Sequence, residues 1–133
     1  MDTKDRIILV IEDEKPLMNA IKTKFENEGY SVLTARTVEQ SKLYLEDPDI
    51  GEIDAIWVDH YLLGKENGLD FVAHLKEGDK WNKIPVFVVS NSVSDDKRQS
   101  YITLGVTRYY TKTEKRLSDI VADVKSFVEE GVD

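Results

Sequence analysis

Five short apolar runs punctuate the chain, and most stop at a polar side chain. Residues 7–11 (Ile-Ile-Leu-Val-Ile) are wholly aliphatic and end at Glu12-Asp13-Glu14. Residues 53–58 are apolar except for Asp54 and end at Asp59. Residues 84–89 end at Ser90, residues 106–110 are followed by Thr111 and Lys112, and residues 30–35 form a more polar run. Short runs without strict alternation predict strands covered on both faces, as in a parallel sheet. The polar second run predicts a strand at the outside of that sheet.

Between the runs the period changes to that of a helix. Leu17, Ile21 and Phe25, with Met18 beside them, form one apolar face after Pro16, and Gly29 is a stop signal. Thr37 and Gln40 have capping-box spacing and open a second helix with a looser face of Val38, Ser41, Leu43, Tyr44 and Leu45, ended by Asp47-Pro48-Asp49. A third helix is expected over 68–77 and a short polar one from about 95 to 103, with Tyr101 and Ile102 as its main apolar residues. The last is the clearest: Leu117, Ile120, Val121, Val124, Phe127 and Val128 share one face. Strands alternating with helices predict an α/β fold, a doubly wound parallel sheet with right-handed crossovers.

At 133 residues the chain suits one domain, with a core over about 6–130 and no output domain. A formal net charge of −8 argues against direct binding of nucleic acid, whose phosphates need clustered Lys and Arg. Cys is absent, so disulfides and thiolate metal sites are excluded. No run is long enough to span a membrane and no signal peptide is evident, so the expected location is cytoplasmic.

In such a sheet the strand ends lie along one edge, where ligand sites form. That edge collects Glu12, Asp13, Asp59, Ser90 and Lys112. Carboxylates without Cys or paired His favour a hard cation, and an incomplete ligand set that leaves room for water suits Mg2+. A carboxylate can act as a nucleophile and form an acyl phosphate, provided that a cation and a lysine offset its charge. Each residue has a plainer reading when taken singly. Glu12–Glu14 would suit a helix N-terminus, Asp59 a turn, Ser90 a cap, Lys112 the surface and Tyr109 the core. His60 and His74 read as structural or surface residues. The plainer readings must all hold at one edge at once, which favours the chemical one.

Taken together, Ile8-Leu9-Val10-Ile11-Glu12-Asp13-Glu14, Trp57-Val58-Asp59 with Gly68 downstream, the run from Ile84 to Ser90 and the run from Gly105 to Lys112 resemble a response-regulator receiver domain of two-component signalling. The resemblance covers the whole chain. It implies a flavodoxin-like (βα)5 fold with strand order 2-1-3-4-5. It implies that Asp59 is the phosphoacceptor and that Asp13, Asp59 and the backbone carbonyl of Tyr61 bind Mg2+, with Glu12 acting through water. Lys112 would pair with the acceptor and then with its phosphoryl group. Ser90 would couple that group to Tyr109, the aromatic switch position. Tyr61 and Ser92 would tune the phosphoryl lifetime. The donor would be a histidine kinase or a phosphotransfer protein. The output would be contact with a downstream protein, or a homodimer, through the face of the fourth helix, fifth strand and fifth helix. Such a domain is a phosphoacceptor rather than an enzyme.

The chain departs from that family in three places. Leu62-Leu63 replaces a Met-Pro or Leu-Pro pair, Gly68 comes one residue late, and Thr113 stands where a cis proline usually follows the lysine. A cis Lys112–Thr113 peptide would cost about 3 kcal/mol, so the bond is cis at that cost or trans with Lys112 placed differently. The alternative function is a degenerate receiver, a binding module that works without phosphorylation. A haloacid-dehalogenase-type phosphohydrolase lacks support because the first strand ends in Glu12-Asp13-Glu14 rather than Asp-x-Asp. A flavodoxin would need a Ser/Thr/Gly-rich phosphate loop at that point.

Overall fold

A computed structural model describes residues 5–131. Five parallel strands, β1 (Ile7–Ile11), β2 (Ser31–Ala35), β3 (Ala55–Val58), β4 (Val86–Ser90) and β5 (Arg108–Thr111), lie in the order β2-β1-β3-β4-β5. They alternate with α1 (Lys15–Asn27), α2 (Val38–Glu46), α3 (Gly68–Lys76), α4 (Asp95–Leu104) and α5 (Leu117–Glu130). This is the flavodoxin-like order. The polar second run is indeed an edge strand, and β3 is buried along its whole length.

Strand residues alternate between two apolar layers. Ile8, Val10, Trp57, Phe87 and Val89 face α1 and α5, where Ile21, Phe25, Ile120 and Val124 close the layer. Leu9, Ile11, Ile56, Val58 and Val88 face the other side, against Phe71, Val72, Leu75 and Tyr101. Two apolar faces on a three-layer fold explain why the central strands read as continuous apolar runs.

Several ends differ from the sequence reading. Ile53 and Asp54 lie outside β3 because Asp54 Oδ2 accepts from the Ile7 amide at 2.8 Å, a side chain taking the place of a strand partner. Ile84 and Pro85 precede β4, and Val106 and Thr107 precede β5. There the Thr107 hydroxyl accepts from the Val86 amide at 3.2 Å. Tyr30 precedes β2, and Ser90 is the last residue of β4 rather than the first beyond it. Leu43 is 65% exposed and does not belong to the apolar face of α2. The Thr37 hydroxyl caps α2 by accepting from Gln40 N at 3.0 Å, but Gln40 Oε1 reaches back to the Arg36 amide rather than to that of Thr37. At α3 a full capping box of Asn67 and Asp70 forms that the sequence reading did not single out.

Candidate functional site

The sheet itself delivers the acidic edge. The backbone ladder runs one residue past the strands: Glu12 N donates to the Ala35 carbonyl (3.0 Å), Asp59 N to that of Ile11 (3.0 Å) and Lys112 N to that of Ser90 (2.8 Å). Glu12, Asp59 and Lys112 are therefore set by strand register rather than by loop conformation. Among the described residues every peptide is trans, Lys112–Thr113 included. Lys112 nevertheless reaches Asp59: its Nζ donates to Asp59 Oδ2 at 2.9 Å and lies 3.1 Å from Glu12 Oε1. Neither of the two placements open in the sequence is met: the bond is trans, yet Lys112 is not displaced from Asp59.

Glu12, Asp13 and Asp59 bring one carboxylate oxygen each to within 4.8 Å of one another. Glu12 and Asp59 are buried and Asp13 is half-buried. Burial, together with the charge of Asp59, pushes the Glu12 carboxyl up to about 8 against the opposing pull of Lys112. Burial lowers the Lys112 ammonium, but the hydrogen bond and charge of Asp59 and the charge of Glu12 outweigh it, so its pKa is raised. Three oxygen donors on a desolvated edge fit a hard divalent cation, since such an ion removes the mutual repulsion and needs no soft ligand. Above them lies an open pocket of about 640 Å³ that Asp13, Asp59, Lys112, Tyr61 and Arg36 help to line.

Of the other expected residues Tyr61 lines this pocket, and Ser90, Ser92 and Tyr109 do not. The Tyr61 amide donates to Asp59 Oδ1 at 3.2 Å, and its phenol donates to the Ser92 carbonyl at 2.8 Å, joining the loops after β3 and β4. The Ser90 hydroxyl is buried with no protein partner. The Tyr109 hydroxyl is likewise buried and unpartnered; its ring lies 5.7 Å from that of Tyr101 and beneath the Arg98 guanidinium at 5.3 Å. Burial raises the Tyr109 pKa.

Two features escaped the sequence reading. His60, read as structural or surface, is fully enclosed and shares a 2.6 Å hydrogen bond with the Tyr101 hydroxyl of α4. Burial and Lys97 lower the pKa of His60. Arg36, directly after β2, places its guanidinium on the Asp13 carbonyl. Its one signal in the sequence was a basic residue following a strand on the ligand edge. Gly68 also gains a reason: a Cβ there would overlap the Asp59 carbonyl oxygen and come within 2.8 Å of the Tyr101 hydroxyl.

Comparisons with known proteins agree with this geometry. The phosphorylated cyanobacterial phytochrome response regulator RcpA superposes with a TM-score of 0.86 at 26% identity, covering 98% of both chains. The Mn2+-bound response regulator Rcp1 gives 0.81 at 23% identity over 96% of this chain and 97% of its own. The alginate biosynthesis transcriptional regulatory protein AlgB of Pseudomonas putida is 29% identical over 84% of this chain and 23% of its own length. A probable transcriptional regulatory protein of Picosynechococcus is 32% identical over 84% of this chain and 45% of its own. The chain thus spans less than half the length of these two regulators. The sequence profile of the response regulator receiver domain matches residues 8–125, and with that match the chain belongs to the receiver-domain family of two-component signalling.

Proposed function

We propose that Asp59 accepts a phosphoryl group from a phosphohistidine of a histidine kinase or phosphotransfer protein, in a reaction that needs Mg2+. The observation that carries this reading is the placement of Lys112 Nζ 2.9 Å from Asp59 Oδ2, on the edge where Glu12, Asp13 and Asp59 converge. A carboxylate oxygen of Asp59 attacks the phosphorus, the P–N bond breaks, and its electron pair leaves with the donor imidazole. The product is an aspartyl phosphate. Lys112 holds the acceptor in place and then faces the phosphoryl oxygens. Glu12, Asp13, Asp59 and the Tyr61 carbonyl are the groups assigned to Mg2+, which when bound supplies positive charge against the incoming phosphoryl oxygens. The unpartnered Ser90 hydroxyl is available to donate to the new phosphoryl group. RcpA, a relative captured in its phosphorylated form, supports the same chemistry here.

Receiver domains are signalling domains rather than classical enzymes. The reading places the output in a shift of the α4–β5–α5 face, through Ser90 and Tyr109, toward a downstream protein or a second copy. No described helix is long and apolar enough to cross a membrane, and a cytoplasmic location fits this role. The test is intact mass after incubation with Mg2+ and acetyl phosphate, beside Asp59→Asn and an EDTA control. One added phosphoryl group that requires both Asp59 and metal supports the reading. No adduct, with phosphorylated histidine donors as well, assigns the domain to phosphorylation-independent binding.

A further inference from the structure

Arg36 stands on the ligand edge of the sheet, and none of the chemistry above uses it. Its Nε and Nη2 both donate to the backbone carbonyl of Asp13, at 3.1 and 2.8 Å. Its own carbonyl accepts from the Leu63 amide at 3.2 Å, and its neighbour Thr37 forms an isolated parallel bridge with Leu63. This one segment therefore grips two loops. The first, between β1 and α1, carries Asp13. The second, between β3 and α3, carries Tyr61 and is the stretch where Leu62-Leu63 and the late Gly68 set this chain apart.

Charge alone gives no account of this placement. Arg36 makes no ion pair among the described residues, and a guanidinium lining the same pocket as Asp13 and Asp59 opposes the binding of a cation there. The fork does account for it. Two donors from one rigid guanidinium fix the Asp13 peptide in a way that a flexible ammonium does not. Groups that orient a metal ligand without touching the metal tune metal affinity through that ligand's position.

We propose that Arg36 is a positioning residue for the cation site: its fork on the Asp13 carbonyl holds the β1–α1 loop in register with the β3–α3 loop, so that Asp13 and Asp59 face the same ion. The proposal rests on the receiver reading above. Arg36 acts on the peptide of Asp13 and not on the ion. Its own backbone contact with Leu63 survives a change of side chain, so substitution removes the fork alone.

The sign of the effect separates positioning from charge. The experiment follows amide chemical shifts of the full chain through an Mg2+ titration, for wild type, Arg36→Ala and Arg36→Lys, with urea midpoints to verify folding. Positioning predicts weaker Mg2+ binding in both variants, by about 10-fold. Charge alone predicts tighter binding in Arg36→Ala and no change in Arg36→Lys. Tighter or unchanged binding in the variants, with the wild type binding normally, overturns the proposal alone. No binding by the wild type overturns the Mg2+ assignment and the proposal with it. Faster exchange of the Glu14 amide in the metal-free variants, at unchanged global stability, is the second expected readout.

Discussion

His60 and Tyr101 share a 2.6 Å hydrogen bond inside the protein, 41 residues apart in sequence and one residue beyond Asp59. Their rings meet edge to face with centroids 5.7 Å apart. The Tyr101 ring in turn lies 5.7 Å from that of Tyr109. An unbroken line of packed side chains thus runs from the neighbour of the proposed acceptor through α4 to β5.

Tyr101→Phe keeps the ring and removes the hydroxyl, leaving His60 Nδ1 buried without its partner. The expected loss is about 1–3 kcal/mol of stability, the usual cost of orphaning a buried polar group. His60→Leu orphans the Tyr101 hydroxyl in the same way. The double variant removes both polar groups and is expected to lose less than the sum of the two single losses. Urea unfolding of the three variants measures this, and strictly additive losses would show that the bond contributes nothing.

Gly68→Ala tests the same enclosure from the other side. The new methyl group would overlap the Asp59 carbonyl oxygen, a backbone atom with no room to give, and would crowd the Tyr101 hydroxyl and His60 Cα. Overpacking of this kind costs about 1–3 kcal/mol. A urea midpoint equal to that of wild type would show that the loop after β3 shifts freely, contrary to its tie at Leu63.

Ser90→Ala is expected to separate stability from signalling. The Ser90 hydroxyl is buried without a partner, so its removal breaks no protein hydrogen bond. Folding stability should change by less than about 0.5 kcal/mol, or rise. The phosphorylated form should lose its effect on amide exchange in α4 and β5, because the proposed donor to the phosphoryl group is gone. Full retention of that effect would remove Ser90 from the coupling.

The parts of the site legible in the sequence are those that end an apolar run. A carboxylate after Ile11 or Val58 is conspicuous because everything before it is buried, and the parallel sheet then places these ends on one edge. Arg36, His60 and Tyr101 were not legible, because their meaning lies in partners 23 and 41 residues away that no local window reveals. Strand bounds erred where a side chain replaced a backbone partner, as at Asp54 and Thr107. The trans Lys112–Thr113 peptide was undecidable from residue types: it is the Lys112 N–H to Ser90 carbonyl bond that fixes the lysine.

Lys112→Ala should slow phosphorylation by acetyl phosphate roughly 10²-fold, the scale for losing one charged donor at a transferring group. The variant leaves the Glu12 and Asp59 carboxylates facing each other without a counter-charge, so its affinity for Mg2+ should rise as its reactivity falls. Rates of mass gain at saturating Mg2+ measure the first effect and a metal titration the second. An unchanged rate would assign Lys112 to structure alone.

Asp123 ties α5 to the sheet and gives the fold a defined response to acid. Its Oδ2 accepts from the Tyr110 hydroxyl at 2.7 Å and from Lys115 Nζ at 2.9 Å. Burial works to raise its carboxyl, but the hydrogen bonds from Lys115 and Tyr110 outweigh it and hold it below its ordinary 3.8. A carboxyl that is more acidic when folded leaves the unfolded chain to bind the proton first. Its stabilisation is therefore complete above the unfolded value and is lost as pH falls through the folded one. The side chain is more than a third exposed, so solvent screens the interaction and its size is below about 1 kcal/mol. Urea midpoints of wild type and Asp123→Asn should differ near pH 7, and the gap should narrow at a pH below 3.8. An equal gap at both would assign the effect to shape rather than charge, since an asparagine oxygen still accepts from Tyr110 but no longer draws the Lys115 ammonium.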